Sequence, residues 1–193
     1  LGADRILYVV DARQAMHFRM VFATARRAGW LPERVEAAHV PFGTVLGADG
    51  RPFRTRDGDT VSLGGLLDAA VDRARTVVGG KNPDLAEADL ARVAHAVGIG
   101  AVKYAELSTS RTRDYPFDVD RMVSLSGNTG VYLQYANARV HSILERLPAG
   151  TERTVDTGLP LHPAERAPAL HLDALGAVLA EVAASAEPHW LPG

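Results

Sequence analysis

Cysteine is absent from all 193 residues, which excludes disulfides, thiolate zinc sites and cysteine nucleophiles together. Net charge is also nearly absent, at −2, so the chain is no generic binder of polyanions. Any contact with nucleic acid has to come from a local patch. No unbroken run of about eighteen apolar residues occurs, and no membrane-crossing helix is expected. The opening LGADRILYVV has no charged stretch and no cleavage site of a signal peptide, and it lacks an initiator Met. We read it as a cut through a longer protein. No internal repeat is visible.

What is present is a hydrophobic fraction of 47%, enough for one full core or parts of two. Arg5 to Val10 (RILYVV) is a short apolar, β-branched run that suits a strand buried on both faces. Asp11 follows, then a helical stripe of Ala15, Phe18, Val21, Phe22, Ala25 and Ala28, closed by Gly29. In open α/β sheets, ligands lie beyond the carboxyl ends of strands, so Asp11, Gln14 and His17 fall where a substrate would sit. The plainer reading is a capping Asp and a solvated first turn. Spacing leaves both open.

Ala38 to Gly47 reads as a second strand, with Pro41 and Gly43 suggesting an edge or bulge. The loop ADGRPFRTRDGDT then brings Arg51, Arg54, Arg56 and the hydroxyls of Thr55 and Thr60 onto a glycine-rich backbone. Fixed positive charge on such a loop suits phosphate. It is not a Walker loop, since GK[ST] is missing, and taken alone it reads by default as a plain surface hairpin at Asp49-Gly50.

Leu63 to Val78 is a clean amphipathic helix ended by Gly79-Gly80, and a further helical segment runs from about Asp84 through Gly98 to Leu107. Between Lys103 and Arg139 the chain becomes dense in chemistry. Arg111, Arg113, Asp114, Asp118, Asp120 and Arg121 form either an ion network or an RNA-phosphate contact, or else a solvated, self-neutralising loop. Gly127-Asn128-Thr129-Gly130 is a turn. The helix from Tyr132 places Tyr132, Leu133, Ala136, Val140, Ile143, Leu144 and Leu147 on one face and Gln134, Asn137, His141 and Glu145 on the other. Residues 148 to 160 read as a linker. From His162 to Ala184 the pattern is helical again, with Pro163 fitting the first turn and Pro168 expected to kink or restart the helix. Too few segments follow to cover the apolar faces of these last helices, so the final bundle is expected to be incomplete.

Four pieces, in order, resemble one family: YVVDARQAMHFRMVF at 8 to 22, HVPFGTVLGADGRPFRTRDGDTVSL at 39 to 63, GIGAVKYAELSTSRTRDYPFDVDRM at 98 to 122 and GNTGVYLQYANAR at 127 to 139. LHPAERAPALHLDAL at 161 to 175 adds a fifth. Together they resemble a bacterial arginyl-tRNA synthetase, a class I enzyme. The implied fold class is α/β and helix-rich. Residues 1–126 would be the C-terminal part of a nucleotide-binding, parallel-sheet (Rossmann-type) catalytic domain, with connecting helices from about residue 63. Residues 127–193 would begin an incomplete all-α anticodon-binding bundle.

The resemblance implies ATP-dependent activation of arginine to arginyl-adenylate and its transfer to arginine tRNA. ATP is then a substrate, with Mg2+ accompanying it and no dedicated metal ligands in the chain. It also implies a cytoplasmic enzyme with no membrane partner, monomeric as a whole protein. By the same resemblance, Gln14 and His17 belong to the arginine site. Gly47, Arg51, Phe53 and Gly58 shape the ATP loop, and Arg54, Thr55 and Arg56 occupy the catalytic Lys-Met-Ser-Lys-Ser position. Asn128, Tyr132, Gln134, Tyr135 and Arg139 mark the tRNA-contacting junction between domains.

Two departures stand out. Thr55 replaces the second lysine of the loop, and guanidinium is no simple substitute for ammonium. The His-Ile-Gly-His motif is missing, so the isolated piece is expected to be inactive. A different class of function stays open beside the ligase: a truncated, non-catalytic relative that binds tRNA or a protein partner.

Overall fold

The computed structural model describes residues 2–47, 49–52, 62–151, 154, 156 and 158–191. The chain forms two compact units, one from Leu1–Val61 and Thr109–Asp118, the other from Ser62–Ser108 and Val119–Gly193.

The first unit opens with β1 (Arg5–Asp11), a 3-10 turn (Ala12–Gln14), α1 (Ala15–Arg27) and β2 (Glu36–Phe42). β1 and β2 pair in parallel over their whole length, from Arg5 opposite Glu36 to Asp11 opposite Phe42. This is a βαβ unit, and a crossover helix is what lets two sequential strands run parallel. Phe18 anchors α1 to the sheet: it is buried, with Tyr8 and Phe22 tilted against it and His39 stacked on it at 5.2 Å between ring centroids. Val35 and Val40 complete that small core.

β1 departs from the expectation of a strand buried on both faces. Leu7, Tyr8 and Val9 are exposed: α1 meets the sheet on the face of Tyr8, and Leu7 and Val9 point to the other face. The second expected strand is split. Its distal half is β3 (Val45–Leu46), which pairs in parallel with β4 (Tyr115–Pro116). β4 was not legible from periodicity, since two residues carry no pattern.

The second unit is helical: α2 (Leu63–Lys81), α3 (Glu87–Ser108), α4 (Val119–Met122), α5 (Gly130–Glu145) and α6 (Pro163–Ser185). Ser62 caps α2 by accepting from the Gly65 N–H at 3.0 Å. The helix passes through Gly79-Gly80 and ends at Lys81, because Gly79 sits against Leu90 of α3 and Asn82 bonds back to the Val78 carbonyl. α2 and α3 meet through Ala70, Ala74, Ala94, Gly98 and Ala101, all small and buried. A Cβ on Gly98 would lie 2.7 Å from the Val71 backbone, so this crossing requires glycine.

α6 begins with a capping box. The Ala164 N–H donates to His162 Nδ1 at 3.2 Å, and Glu165 accepts from the His162 N–H at 2.8 Å. Pro163 occupies the first turn as expected, and Pro168 does not restart the helix, which runs unbroken from Pro163 to Ser185. Pro168 lies near the helix start and forgoes a single backbone bond, to the Ala164 carbonyl, which does not end it. No residue of α6 is buried. Its 23 residues reach a mean hydropathy of 1.3 over an 18-residue window, long and apolar enough to cross a membrane by length and composition. The 18-residue window holds no more than two Asp, Glu, Lys or Arg side chains and is not an unbroken apolar run; the measure tests length and composition alone.

Candidate active site

The carboxyl end of β1 is built to present Asp11. One ring residue fixes the strand end: His39 of β2 donates Nε2–H to the Val10 carbonyl at 3.1 Å while its face stacks on Phe18. The chain then turns. Asp11 Oδ1 accepts the Arg13 backbone N–H at 2.7 Å, capping the 3-10 turn. The same carboxylate takes the Arg13 guanidinium with two near-parallel bonds, Nε to Oδ1 at 2.9 Å and Nη2 to Oδ2 at 2.6 Å. The Arg13 side chain, followed by its backbone N–H, holds the Asp11 carboxyl down at about 2 from a usual 3.8. Asp11 is therefore both a cap and a carboxylate that grips a guanidinium.

Gln14 and His17 lie on the same turn and first helical turn, and both are exposed. Gln14 occupies the N-cap position of α1, yet its side chain makes no capping bond there. His17 stands edge-on to Phe18 at 5.3 Å between centroids. The turn thus groups a fixed carboxylate, a carboxamide with both donor and acceptor, and an imidazole at one strand end.

β2 leads to a second built region in the same unit. Gly43 lies so close to the 111–114 backbone that a Cβ would sit 2.5 Å from the Arg113 carbonyl oxygen. The Gly43 N–H donates to the Arg111 carbonyl at 2.7 Å, and the Thr44 N–H donates to Asp114 Oδ1 at 2.6 Å. Arg111 Nη1 donates to the Pro41 carbonyl at 2.8 Å. Two residues of the charged 111–121 cluster, Arg111 and Asp114, thus clamp the strand that carries the loop. A third, Asp120, pairs with Arg73 across α2 and α4 at 2.5 Å.

Beyond β3 the loop starts as a tight turn. The Gly47 N–H donates to the Arg51 carbonyl at 2.8 Å, Gly50 takes a φ of +72°, and Leu46 bridges Pro52 in antiparallel fashion. Gly47 is buried and Arg51 exposed. Phe53, Arg54, Thr55, Arg56 and Gly58 lie outside the described residues.

In the second unit, the Asn128 turn and α5 dock on α3. Thr129 is buried and bonded twice: its hydroxyl donates to the Ser124 carbonyl at 2.7 Å and accepts from the Tyr132 N–H at 3.1 Å. The helix consequently starts at Gly130, ahead of the expected Tyr132. The Tyr104 hydroxyl donates to Asn128 Oδ1. Gln134 lies on the face away from the apolar stripe, and it is this face that packs on α3. Its Nε2 donates to the Ala96 carbonyl at 3.0 Å, in a slot that Gly100 keeps open. Gly130 meets the Gly100 backbone, so contact with α3 is set by small residues rather than by the apolar stripe. Tyr132, Leu133, Val140 and Ile143 remain exposed as a result. Tyr135 and Arg139 are exposed too. Arg139 Nη1 donates to the Tyr135 hydroxyl at 3.3 Å and lies 5.9 Å over the ring.

The family model for the catalytic domain of class I (R) tRNA synthetases matches residues 1–119. The chain belongs to the arginyl class I tRNA synthetases. It is 66% identical over 191 residues to an arginine–tRNA ligase of Frankia casuarinae and 59% identical over 192 residues to that of Streptomyces coelicolor. Each alignment covers 99% of this chain and 32% of the relative, so the chain spans about a third of the length of these ligases. Among solved structures it is similar to arginyl-tRNA synthetase of Thermus thermophilus, with a TM-score of 0.82 at 34% identity over 98% of this chain and 31% of that one. It also resembles the enzyme of Plasmodium falciparum, with a TM-score of 0.81 at 25% identity over 98% of this chain and 32% of that one. Asp11, left open by the sequence between a capping role and a place near a substrate, caps its turn here and bonds the Arg13 guanidinium through both carboxylate oxygens.

Proposed function

We propose that the chain serves an arginine–tRNA ligase, in which the carboxyl end of β1 holds the substrate arginine. The observation that carries this reading is Gln14, exposed on the turn at that strand end with its carboxamide unused by the helix cap. Gln14 would orient arginine there, accepting from the guanidinium or donating to the carboxylate, and His17 would border the pocket.

In the reaction, an oxygen of the arginine carboxylate attacks the α-phosphorus of ATP. The bond to the bridging oxygen breaks, pyrophosphate leaves, and arginyl-adenylate forms. A ribose hydroxyl at the 3′ end of the tRNA then attacks the arginyl carbonyl, and AMP leaves. The loop that begins at Gly47 and Arg51 would close over ATP. Arg54, Thr55 and Arg56 would face the charge that develops on pyrophosphate, as electrostatic rather than covalent catalysts. Among the described residues no group of three His, Asp or Glu side chains is placed to hold a metal ion. Mg2+ would accompany ATP as its counter-ion.

Residues 1–126 would act in activation and 127–193 would begin the anticodon-binding part. Tyr135 and Arg139 offer tRNA an exposed ring and a fixed cation, while Asn128 and Gln134 would hold the junction in shape. Tyr132, also exposed, would border the same surface. The whole protein would be a cytoplasmic monomer. Because the 193 residues lack the His-Ile-Gly-His motif, we infer that by themselves they form no adenylate. The test is arginine-dependent pyrophosphate exchange with Gln14→Ala, in the Frankia casuarinae ligase carrying this segment in place of its own. A rise of tenfold or more in the KM for arginine, with that for ATP unchanged, is expected. An unchanged KM would remove Gln14 from the site.

A further inference from the structure

We propose that His39 is a positioning residue for the arginine site: its one ring holds both flanks of the segment that carries Gln14 and His17. This rests on the reading of the β1 end as that site.

The segment from Asp11 to His17 leaves β1 and enters α1, and the residues on either side of it meet on His39. Before it stands Val10, whose carbonyl accepts Nε2–H at 3.1 Å. After it stands Phe18, whose ring lies on the same imidazole at 5.2 Å between centroids, with the planes 21° apart. A carbonyl can only accept, so Nε2 carries the proton and the tautomer is fixed. The bond to Val10 spans 29 residues of sequence, which makes it a tertiary tie rather than part of the turn. β2, which supplies His39, also touches the 3-10 turn itself.

The need for this hold follows from how Gln14 is placed. Its side chain makes no capping bond at the start of α1, so its position is set by the backbone that carries it. Inside the turn that backbone is held by Asp11, through the Arg13 N–H. Asp11 fixes the turn to itself, whereas His39 fixes it to the sheet and to the helix together. Phe18 is buried and moves little, so the flank that depends on a single side-chain bond is the strand end at Val10.

The two contacts use different parts of the ring and can be separated. Phe keeps a flat face for Phe18 and has no donor, while Gln brings an amide N–H to about the reach of Nε2 and has no ring. Without the donor, the strand end is free to shift against α1, and a small misplacement weakens a positioned group.

The test is arginine-dependent pyrophosphate exchange in the Frankia casuarinae ligase carrying this segment, with a double-mutant cycle between positions 39 and 14. His39→Phe is expected to raise the KM for arginine by about two- to tenfold, the order of one hydrogen bond, with that for ATP unchanged. His39→Gln should restore most of the parent value. In the Gln14→Ala background, His39→Phe should raise the KM no further, because the group it positions is gone. Four results would each make His39 an ordinary packing residue and overturn the proposal: no rise for arginine in His39→Phe, an equal rise for ATP, the same rise with and without Gln14, or His39→Gln no better than His39→Phe. If Gln14→Ala by itself leaves the KM for arginine unchanged, the reading of the site fails, and the role of His39 with it. Should His39→Phe not fold, His39→Leu, which also lacks the donor, takes its place in the cycle.

Discussion

α3 and α6 are almost equally long, at 22 and 23 residues, and both carry an apolar stripe in the sequence. α3 buries Ala94, Gly98, Ala101 and Val102, whereas α6 buries nothing, and its main contact is the turn at Pro188–Trp190 that follows it. The difference lies in the inward residues. On α3 they are small, so the α2 backbone comes close and many weak contacts accumulate. On α6 they are Leu170, Leu172, Leu175 and Leu179, which need a facing groove, and among the described residues none is supplied. A helical stripe identifies the face that needs cover; it does not say where the cover comes from.

The largest effect should come from filling the tight crossing. Gly98→Val places a Cβ against the Val71 backbone, which cannot yield, and should lower the unfolding free energy by about 1–3 kcal/mol. Urea titration measures it. Gly100→Ala is the sharper contrast, because its Cβ meets only the tip of the Gln134 side chain. That tip can swing away, so a loss of about 1 kcal/mol or less is expected, the order of one hydrogen bond. Equal losses at the two sites would mean that backbone contact is not what sets this crossing. Next in size, Thr129→Ala removes both the cap of α5 and the bond to Ser124, with an expected cost of about 1–2 kcal/mol.

The acid limb of stability gives a smaller signal. Asp11 is depressed to about 2 in the folded chain from a usual 3.8. Its contribution is therefore fully present above about pH 4 and is lost as pH falls through about 2. In Arg13→Gln that window should shrink, because the carboxyl moves back toward its ordinary range. NMR titration of the Asp11 side-chain carbon checks the direction. Smallest of all, Leu172→Glu on the open face of α6 should change stability by no more than about 0.5 kcal/mol. A loss above about 1 kcal/mol would show that α6 is covered in solution and that the contrast with α3 is false.

Much of this was legible in the sequence. β1, α1 and the long helices follow from apolar spacing, and the family follows from four ordered motifs. Three things were not. β4 is two residues long and exists because Gly43 and Thr44 bond to the 111–114 segment, a contact across about 70 residues that periodicity does not encode. Gln134 points at α3 because Gly100 and Gly130 make room, so the small residues, rather than the apolar ones, choose the buried face. At the site, residue types pointed to the β1 end, but a carboxylate that caps a turn and one that grips a guanidinium look alike in sequence. Asp11 does both, and only the distances to Arg13 separate the roles.

The most direct test of the ligase reading is arginine-dependent exchange of pyrophosphate into ATP. It should be run on the Frankia casuarinae enzyme carrying this segment and on the 193 residues alone. The expected result is exchange by the chimera with arginine and none by the segment alone. A folded chimera that exchanges with no amino acid, or with one other than arginine, would contradict it.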